Sequence, residues 1–353
     1  MANRGMAMDL PSLTAALQTG RDLTATEAGA AAVAMTGEVA TDQAKEAFLL
    51  ALARKGETAV EVAAFAHAYR DRARSVDFGA APATAIDIVG TGGDRSGSFN
   101  ISSVSSLIVA AAGVTVLKHG NRSITSKSGS ADFLAGLGVE LEATDDQLRR
   151  AVAEARFCYL YAPAFHPAFK AVLGVRRKLA AQGDKTIFNV LGPLINPARP
   201  ACMLVGVYDE RWVVPMAAAL ADLGVRRGLV VHGRAGGGMD ELTTAGENRV
   251  RGCGELAGVD GVWLPGDFGF PTCPVAELRG GSPEENLAMF SDLLVGGVPA
   301  GLLDTLCLSA GAALWVAGRA ADPGAGAQVA RELVLGGALR EQARRLRAAY
   351  RAD

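Results

Sequence analysis

Gly90-Thr91-Gly92-Gly93-Asp94 is the stretch of the sequence best suited to chemistry. It follows the apolar run Ile86-Asp87-Ile88-Val89 and leads into Ser98-Phe99-Asn100-Ile101-Ser102-Ser103. Three glycines in four residues exceed what a plain strand-to-helix turn requires. They let backbone N–H groups approach an anion, and a helix opened by Asn100 and the serines adds its N-terminal dipole. The chemistry this suggests is the holding of phosphate. No Gly-Lys-Ser/Thr follows, and the spacing is not G-x-G-x-x-G, so neither a Walker loop nor a dinucleotide fingerprint is present.

Other stretches carry compatible chemistry. Lys118-His119-Gly120-Asn121-Arg122-Ser123 offers cations for phosphate oxygens and an amide that both donates and accepts; a solvated loop is the alternative. His119 has no nucleophile to pair with and reads as a packed or loop-stabilising residue. Ser128-Gly129-Ser130-Ala131-Asp132 repeats the Gly/Ser loop before a helix. Asp240-Glu241, behind Gly236-Gly237-Gly238-Met239, could hold Mg²⁺, an ion that takes few carboxylates and completes its shell with phosphate and water. Two acids in a loop are otherwise simply solvated. Arg176 and Arg177, with Lys170 and Lys178, form either a solvated helix face or a clamp for a substrate carboxylate. Asn189–Pro197 reads as a rigid turn without chemistry of its own. No Ser–His–Asp or Cys–His set and no His-rich cluster is visible, so catalysis would rest on positioning and charge stabilisation, with no general acid or base.

The elements that must position these residues alternate. Strands are expected at 86–89, 114–118, 157–161, 203–208, 228–232 and 262–264, with helices at 101–112, 131–137, 145–155 and 211–223. The run 104–112 could by periodicity alone be a buried strand; the serines before it favour a helix. Alternation of this kind implies a mainly parallel sheet with loops for a ligand at the carboxyl ends of its strands. Before it, Leu10 to about Arg74 reads as helical throughout, with capping-box spacing at Thr24/Glu27 and Thr58/Glu61, and later at Thr144/Gln147. Ser75–Thr84 reads as a linker. Residues 163–188 interrupt the alternation with a basic helix at Phe169–Ala181 that could pack back on the first helices. Helices at Glu285–Leu294, Thr305–Ala317 and Ala327–Tyr350 close the chain.

At 353 residues, half of them hydrophobic, the chain can bury a large core in two units. A net charge of −2 argues against a nucleic-acid binder. Cys158, Cys202, Cys253, Cys273 and Cys307 stand singly, which fits a reduced cytoplasmic location. No signal peptide and no apolar run of about 18 residues is seen, so no membrane is expected.

Taken together, these motifs resemble the anthranilate phosphoribosyltransferases. The likeness runs through Phe48-Leu49, Ala51-Leu52 and Lys55-Gly56-Glu57-Thr58, then Gly90–Asp94, Phe99–Ser102, Lys118–Ser123, Ser128–Asp132, Thr186–Pro197 and Asp240-Glu241, all in the family's order. It implies an α/β fold of the class-II phosphoribosyltransferase and nucleoside phosphorylase type, with a small all-helical N-terminal domain (1–80, joined by about 165–187). The larger α/β domain (81–164 and 188–353) would have a mainly parallel central sheet. The implied reaction joins 5-phosphoribosyl 1-diphosphate and anthranilate to give N-(5-phosphoribosyl)anthranilate and diphosphate, a step of tryptophan biosynthesis. The resemblance further implies two Mg²⁺ ions per subunit and a homodimer through the helices.

By the same resemblance, Gly90, Gly93, Asp94, Ser98, Asn100, Ile101, Ser102, Ser103, Lys118, His119, Gly120, Asn121, Arg122, Ser123, Ile124, Thr125, Ser126 and Ser130 would surround the donor. Ser102, Asp240 and Glu241 would serve the metal, and Gly90, Asn121 and Arg176 the acceptor. The chain departs from the family before Thr186. There Leu179-Ala180-Ala181-Gln182-Gly183-Asp184-Lys185 is a few residues longer and ends in Lys where the family has Arg. A different aromatic acceptor is the alternative this opens. A non-catalytic nucleic-acid-binding relative would be expected to lose the Gly90–Asp94 loop or the acid pair, and both are kept.

Overall fold

A computed structural model describes residues 8–37, 39–122 and 128–351. Four helices come first: α1 (Leu10–Gln18), α2 (Ala25–Thr36), α3 (Asp42–Lys55) and α4 (Ala59–Arg70). Each is capped by an oxygen that the sequence supplies at its start, from Asp9, Thr24, Thr41 and Thr58, and the expected capping boxes form with Glu27 and Glu61. Glu61 does more than cap. Its buried carboxylate also accepts from Leu23 N (2.9 Å) and Lys55 Nζ (2.8 Å), tying the entry of α2 and the end of α3 to α4.

The alternating part follows: β1 (Ile86–Gly90), α5 (Ile101–Ala111), β2 (Val116–Gly120), α6 (Ser130–Gly136), α7 (Asp145–Ala155), β3 (Phe157–Tyr161), α8 (Ala162–Phe165), α9 (Leu173–Gln182), α10 (Phe188–Leu194), β4 (Cys202–Gly206), α11 (Val213–Asp222) and β5 (Arg227–Gly233). An antiparallel pair, β6 (Asn248–Gly254) and β7 (Asp260–Trp263), precedes α12 (Pro283–Leu293), α13 (Ala300–Val316), α14 (Pro323–Leu335) and α15 (Ala338–Tyr350). The sheet order is β3-β2-β1-β4-β5-β6-β7, parallel as far as β5 and antiparallel beyond it. Parallel strands need both faces covered. Helices α5 and α13 cover one face, with α14 packed behind them; on the other, α11 joins the sheet to the helical bundle through one continuous apolar cluster.

The interrupting segment packs back on the first helices. Lys45 Nζ donates to the Ala171 carbonyl (2.9 Å), Lys178 pairs with Glu46 (2.7 Å), and Tyr69 meets Phe169 edge-on at 4.8 Å.

Several expected boundaries move. β2 runs Val116–Gly120, two residues past the expected end at 118, so His119 and Gly120 lie in the strand and not in a loop after it. The basic helix is shorter; a 3₁₀ turn at Pro167–Val172 comes first. Ala327–Tyr350 is two helices, broken where Gly337 takes φ +84°. α13 starts earlier, directly after Pro299, and is buried on nearly every side. β6 was not expected. Its arginines hid the strand pattern, and Arg251 there pairs with Asp260 of β7 at 2.7 Å.

A polar knot sits inside this apolar sheet. Asp87, in the middle of β1, is fully buried. Asn196 Nδ2 donates to Asp87 Oδ2 and to the Leu117 carbonyl, each at 2.8 Å, and buried Lys118 donates to the Ile88 carbonyl. Burial raises the Asp87 carboxyl to about 6, with Lys118 as the main opposing influence. Burial lowers Lys118, with Asp87 opposing most.

A carboxyl held above its unfolded value contributes stability that is present below about pH 4 and lost as pH rises through about 6. Chemical denaturation of the wild type and Asp87→Asn should therefore show the wild type losing roughly 3 kcal/mol relative to the variant between pH 4 and pH 7. A pH-independent difference would contradict the buried charge.

Candidate active site

Gly90 and Gly206 are cross-strand partners at the carboxyl ends of β1 and β4. Neither position has room for a side chain, because the Asp240 residue lies across both. A Cβ on Gly90 would stand 2.3 Å from Asp240 Oδ2, and one on Gly206 would stand 1.7 Å from the Asp240 carbonyl oxygen. The chain is folded back over the strands by the turn after β5, where Gly233 and Met239 exchange backbone hydrogen bonds (3.0 and 2.8 Å). Gly237 and Gly238 take φ +93° and +111° there.

The acid pair thus reaches both expected phosphate elements. Asp240 Oδ2 accepts from Gly92 N (2.5 Å), and Asp240 N donates to Asp94 Oδ2 (3.3 Å). Glu241 Oε1 accepts from Ser102 N (3.0 Å) in the first turn of α5. Burial raises the Asp240 carboxyl well above the usual range, and Asp94 and Glu241 add to it. Burial lifts Glu241 to about 7 against the Ser102 amide and Lys118. Carboxyls gathered in this way call for a cation, and hard oxygen donors suit Mg²⁺. No group of three or more His, Cys, Asp or Glu among the described residues forms a ready-made metal cage, so remaining ligands would fall to water and phosphate.

The other expected donor residues divide. Asn100 N-caps α5 by position, and its Oδ1 accepts from Asn286 Nδ2 (2.8 Å) and Ser128 Oγ (3.3 Å). Ser130 Oγ bonds Tyr159 OH (2.9 Å), and both crowd Gly120, where a Cβ would stand 2.6 Å from Ser130 Oγ. Asn121 accepts from the Arg122 amide (2.7 Å), while Arg122 pairs with Asp132. Ser98 bridges to Arg279. Gly93 and Asp94 lie in the loop itself. Three residues point away from it: Ile101 is core, the Ser103 hydroxyl is buried without a partner among the described residues, and His119 is buried with Nδ1 3.1 Å from the Gly192 carbonyl. Ser123, Ile124, Thr125 and Ser126 lie outside the described residues.

On the acceptor side the basic cluster separates. Lys178 is paired with Glu46, and Lys170 and Arg177 are exposed. Arg176 alone turns inward, its guanidinium 4.8 Å from the centre of the Phe188 ring. Burial lowers it, with no carboxylate among the influences on it. A half-buried cation without an acid partner suits an incoming carboxylate. Ala180–Asp184 are exposed, and Lys185 reaches the donor loop, with Nζ 3.3 Å from the Gly93 carbonyl.

Residues that the motifs did not single out also belong here. Asn286 orients Asn100, and Asn196 anchors Asp87 beneath Lys118. His166 meets His119 at 5.2 Å between ring centres; burial lowers them to about 4 and about 3, so both are neutral. A charged residue within an apolar strand was the available signal for the Asp87 knot; Asn286 and His166 left none.

Known proteins agree with this geometry. The helical bundle domain of a glycosyl transferase family matches residues 11–73, and the a/b domain of that family matches 82–339. The anthranilate phosphoribosyltransferase of Natronomonas pharaonis is 43% identical over 93% of this chain and 96% of its own length. That of Rhodospirillum rubrum is 42% identical over 96% and 95%. The chain belongs to the anthranilate phosphoribosyltransferase family. It is an enzyme of that family, and the crystal structure of the Thermus thermophilus member superposes with a TM-score of 0.88 at 40% identity, covering 96% of this chain and 99% of that one. The Saccharomyces cerevisiae member, solved with PRPP and Mg, shares the fold at a TM-score of 0.86 and 24% identity, over 97% of each chain.

Gly90→Ala forces the Asp240 carboxylate to move. Its turnover should fall at least about 100-fold, because displacements near 1 Å at a reacting centre carry losses of that order. Steady-state kinetics on folded variant would check this, and near-normal turnover would show that the approach of Asp240 to β1 is dispensable.

Proposed function

We propose the following assignment of this site to the family's reaction. The chain transfers the 5-phosphoribosyl group from 5-phosphoribosyl 1-diphosphate to the amine of anthranilate, giving N-(5-phosphoribosyl)anthranilate and diphosphate. One observation carries the assignment: the glycine loop, the first turn of α5 and the acid pair converge over the carboxyl ends of β1, β4 and β5.

The diphosphate lies against the backbone amides of the Gly90–Asp94 loop and the start of α5, with Lys118, Asn121, Arg122 and Ser130 around it. Asp240 and Glu241, with Ser102, hold Mg²⁺, which supplies charge neutralisation to the leaving diphosphate; two ions per subunit belong to this reading. Anthranilate lies between Gly90, Asn121 and Arg176, with its carboxylate on Arg176. An aryl amine is neutral near pH 7, so its lone pair attacks C1 of the ribose as the C1–O bond to diphosphate breaks, and the acidified N–H proton is then lost to the departing diphosphate or to water, with no strong base required. The chain's contribution is to hold the amine in line with the breaking C1–O bond and to stabilise the departing anion.

Residues 1–80 with about 165–187 form one body in this reading and the remainder the other, the substrates meeting between them. The enzyme is a homodimer through the helices. Apolar Leu50 and Val175 line an open groove between α3 and α9. Sedimentation should give twice the chain mass at micromolar concentration, and a monomer would remove this part.

Anthranilate fluorescence should fall with time only when donor and Mg²⁺ are both present. Arg176→Ala should raise the anthranilate KM about 30-fold or more, as expected for loss of a charged partner, with the donor KM within about threefold. No turnover by folded wild type would overturn the assignment, and equal effects on both substrates would remove the role of Arg176.

A further inference from the structure

Lys185 stands two residues after Gly183, the left-handed residue that ends α9. Its ammonium group has two contacts. It lies 3.3 Å from the centre of the Tyr208 ring, and 3.3 Å from the Gly93 carbonyl oxygen, which takes no other donor among the described residues. Tyr208 is a fixed platform. It is buried, its N–H donates to Thr91 Oγ1 (3.0 Å), and its hydroxyl accepts from Trp212 Nε1 (3.0 Å). The loop it faces is the opposite: Gly92 and Gly93 take φ +70° and +80° and have no side chains to pack. A cation resting on a rigid aromatic face and bonded to one carbonyl fixes an otherwise permissive peptide. Because that peptide is trans, fixing its carbonyl toward Lys185 directs the Asp94 N–H to the opposite side. Asp94 and Asp209 attract the ammonium group, while Arg95 and Arg211 repel it.

We propose that Lys185 is a positioning residue for the phosphoribosyl donor, clamping the Gly93–Asp94 peptide between the Tyr208 ring and the donor site. The inference rests on the assignment of the Gly90–Asp94 loop to the donor. It gives the lengthened segment before Thr186 a function on the donor side. Lys185 leaves from the same helix that carries Arg176, so the helix that receives the acceptor also braces the loop that receives the donor.

The test is calorimetric titration of 5-phosphoribosyl 1-diphosphate with Mg²⁺ and no acceptor. Lys185→Met should weaken donor binding about tenfold, the order expected when an exposed cation–π contact and a hydrogen bond from a charged donor are lost together. Lys185→Arg should stay within about threefold, since a guanidinium can also stack on the ring and donate. Tyr208→Leu should weaken binding like Lys185→Met, and the double variant should be barely weaker than either alone, because both act through one clamp. Where Tyr208→Leu does not fold, the exposed Lys185 pair of variants decides. The anthranilate KM should change less than about twofold throughout. Wild-type donor affinity in Lys185→Met, failure of Lys185→Arg to restore binding, additive losses in the double variant, or an effect confined to anthranilate would each overturn the proposal. Wild type that binds donor but does not turn over anthranilate would defeat the acceptor assignment and leave this test intact. Wild type that binds no donor would defeat both.

Discussion

The site depends on one close approach: the Asp240 residue lying on the ends of β1 and β4. Two strands must end in glycine, side by side, for a third chain segment to cross them at this distance. The crossing puts a carboxylate under the Gly92 amide and the next one at the start of α5, so a loop, a helix terminus and an acid pair share one small volume. Neighbouring carboxyls raised by burial and mutual repulsion are unfavourable without a cation. The fold holds them together because β5 and its glycine turn leave the chain no other course.

Beneath that surface, the strands carry charge where parallel sheets normally carry only apolar side chains. Asp87 and Lys118 are both buried, and each moderates the cost of the other. Asn196 closes the knot from the segment after α10. Its position explains the Pro-flanked turn there: the turn delivers one amide into the sheet. The same arrangement holds Lys118 within electrostatic reach of Asp240 and Glu241. Positive charge is therefore supplied to the site from below, by a residue with little freedom to leave.

Much of this was legible in the residues. Glycine density, capping spacing and the period of the apolar runs identified β1, α5, the helical nature of residues 10–74 and the loops, since each is a local signal. The antiparallel β6 was not legible, because Arg249 and Arg251 face outward toward Asp260 and masked the alternation. That Lys118 and His119 are buried side by side at the end of β2 was only partly legible, because the partners that make it possible, Asp87 and Gly192, are distant in sequence. The basic helix read as one cluster of cations; only packing on Phe188 separates Arg176 from its neighbours. The segment before Thr186 reads from its place in sequence as lying beside the acceptor; its contact with the donor loop, through Lys185 and Gly93, left no signal there.

In the proposed assignment the donor occupies the ends of β1 and β4 and the start of α5 while Arg176 receives the acceptor. A crystal structure with 5-phosphoribosyl 1-diphosphate, Mg²⁺ and a non-reacting anthranilate analogue tests it most directly. Diphosphate oxygens should lie on the amides of the Gly90–Asp94 loop and the first turn of α5, metal density on Asp240 or Glu241, and the analogue's carboxylate at hydrogen-bond distance, about 3 Å, from Arg176. A diphosphate bound away from that loop, or a carboxylate that leaves Arg176 without a contact, would contradict it.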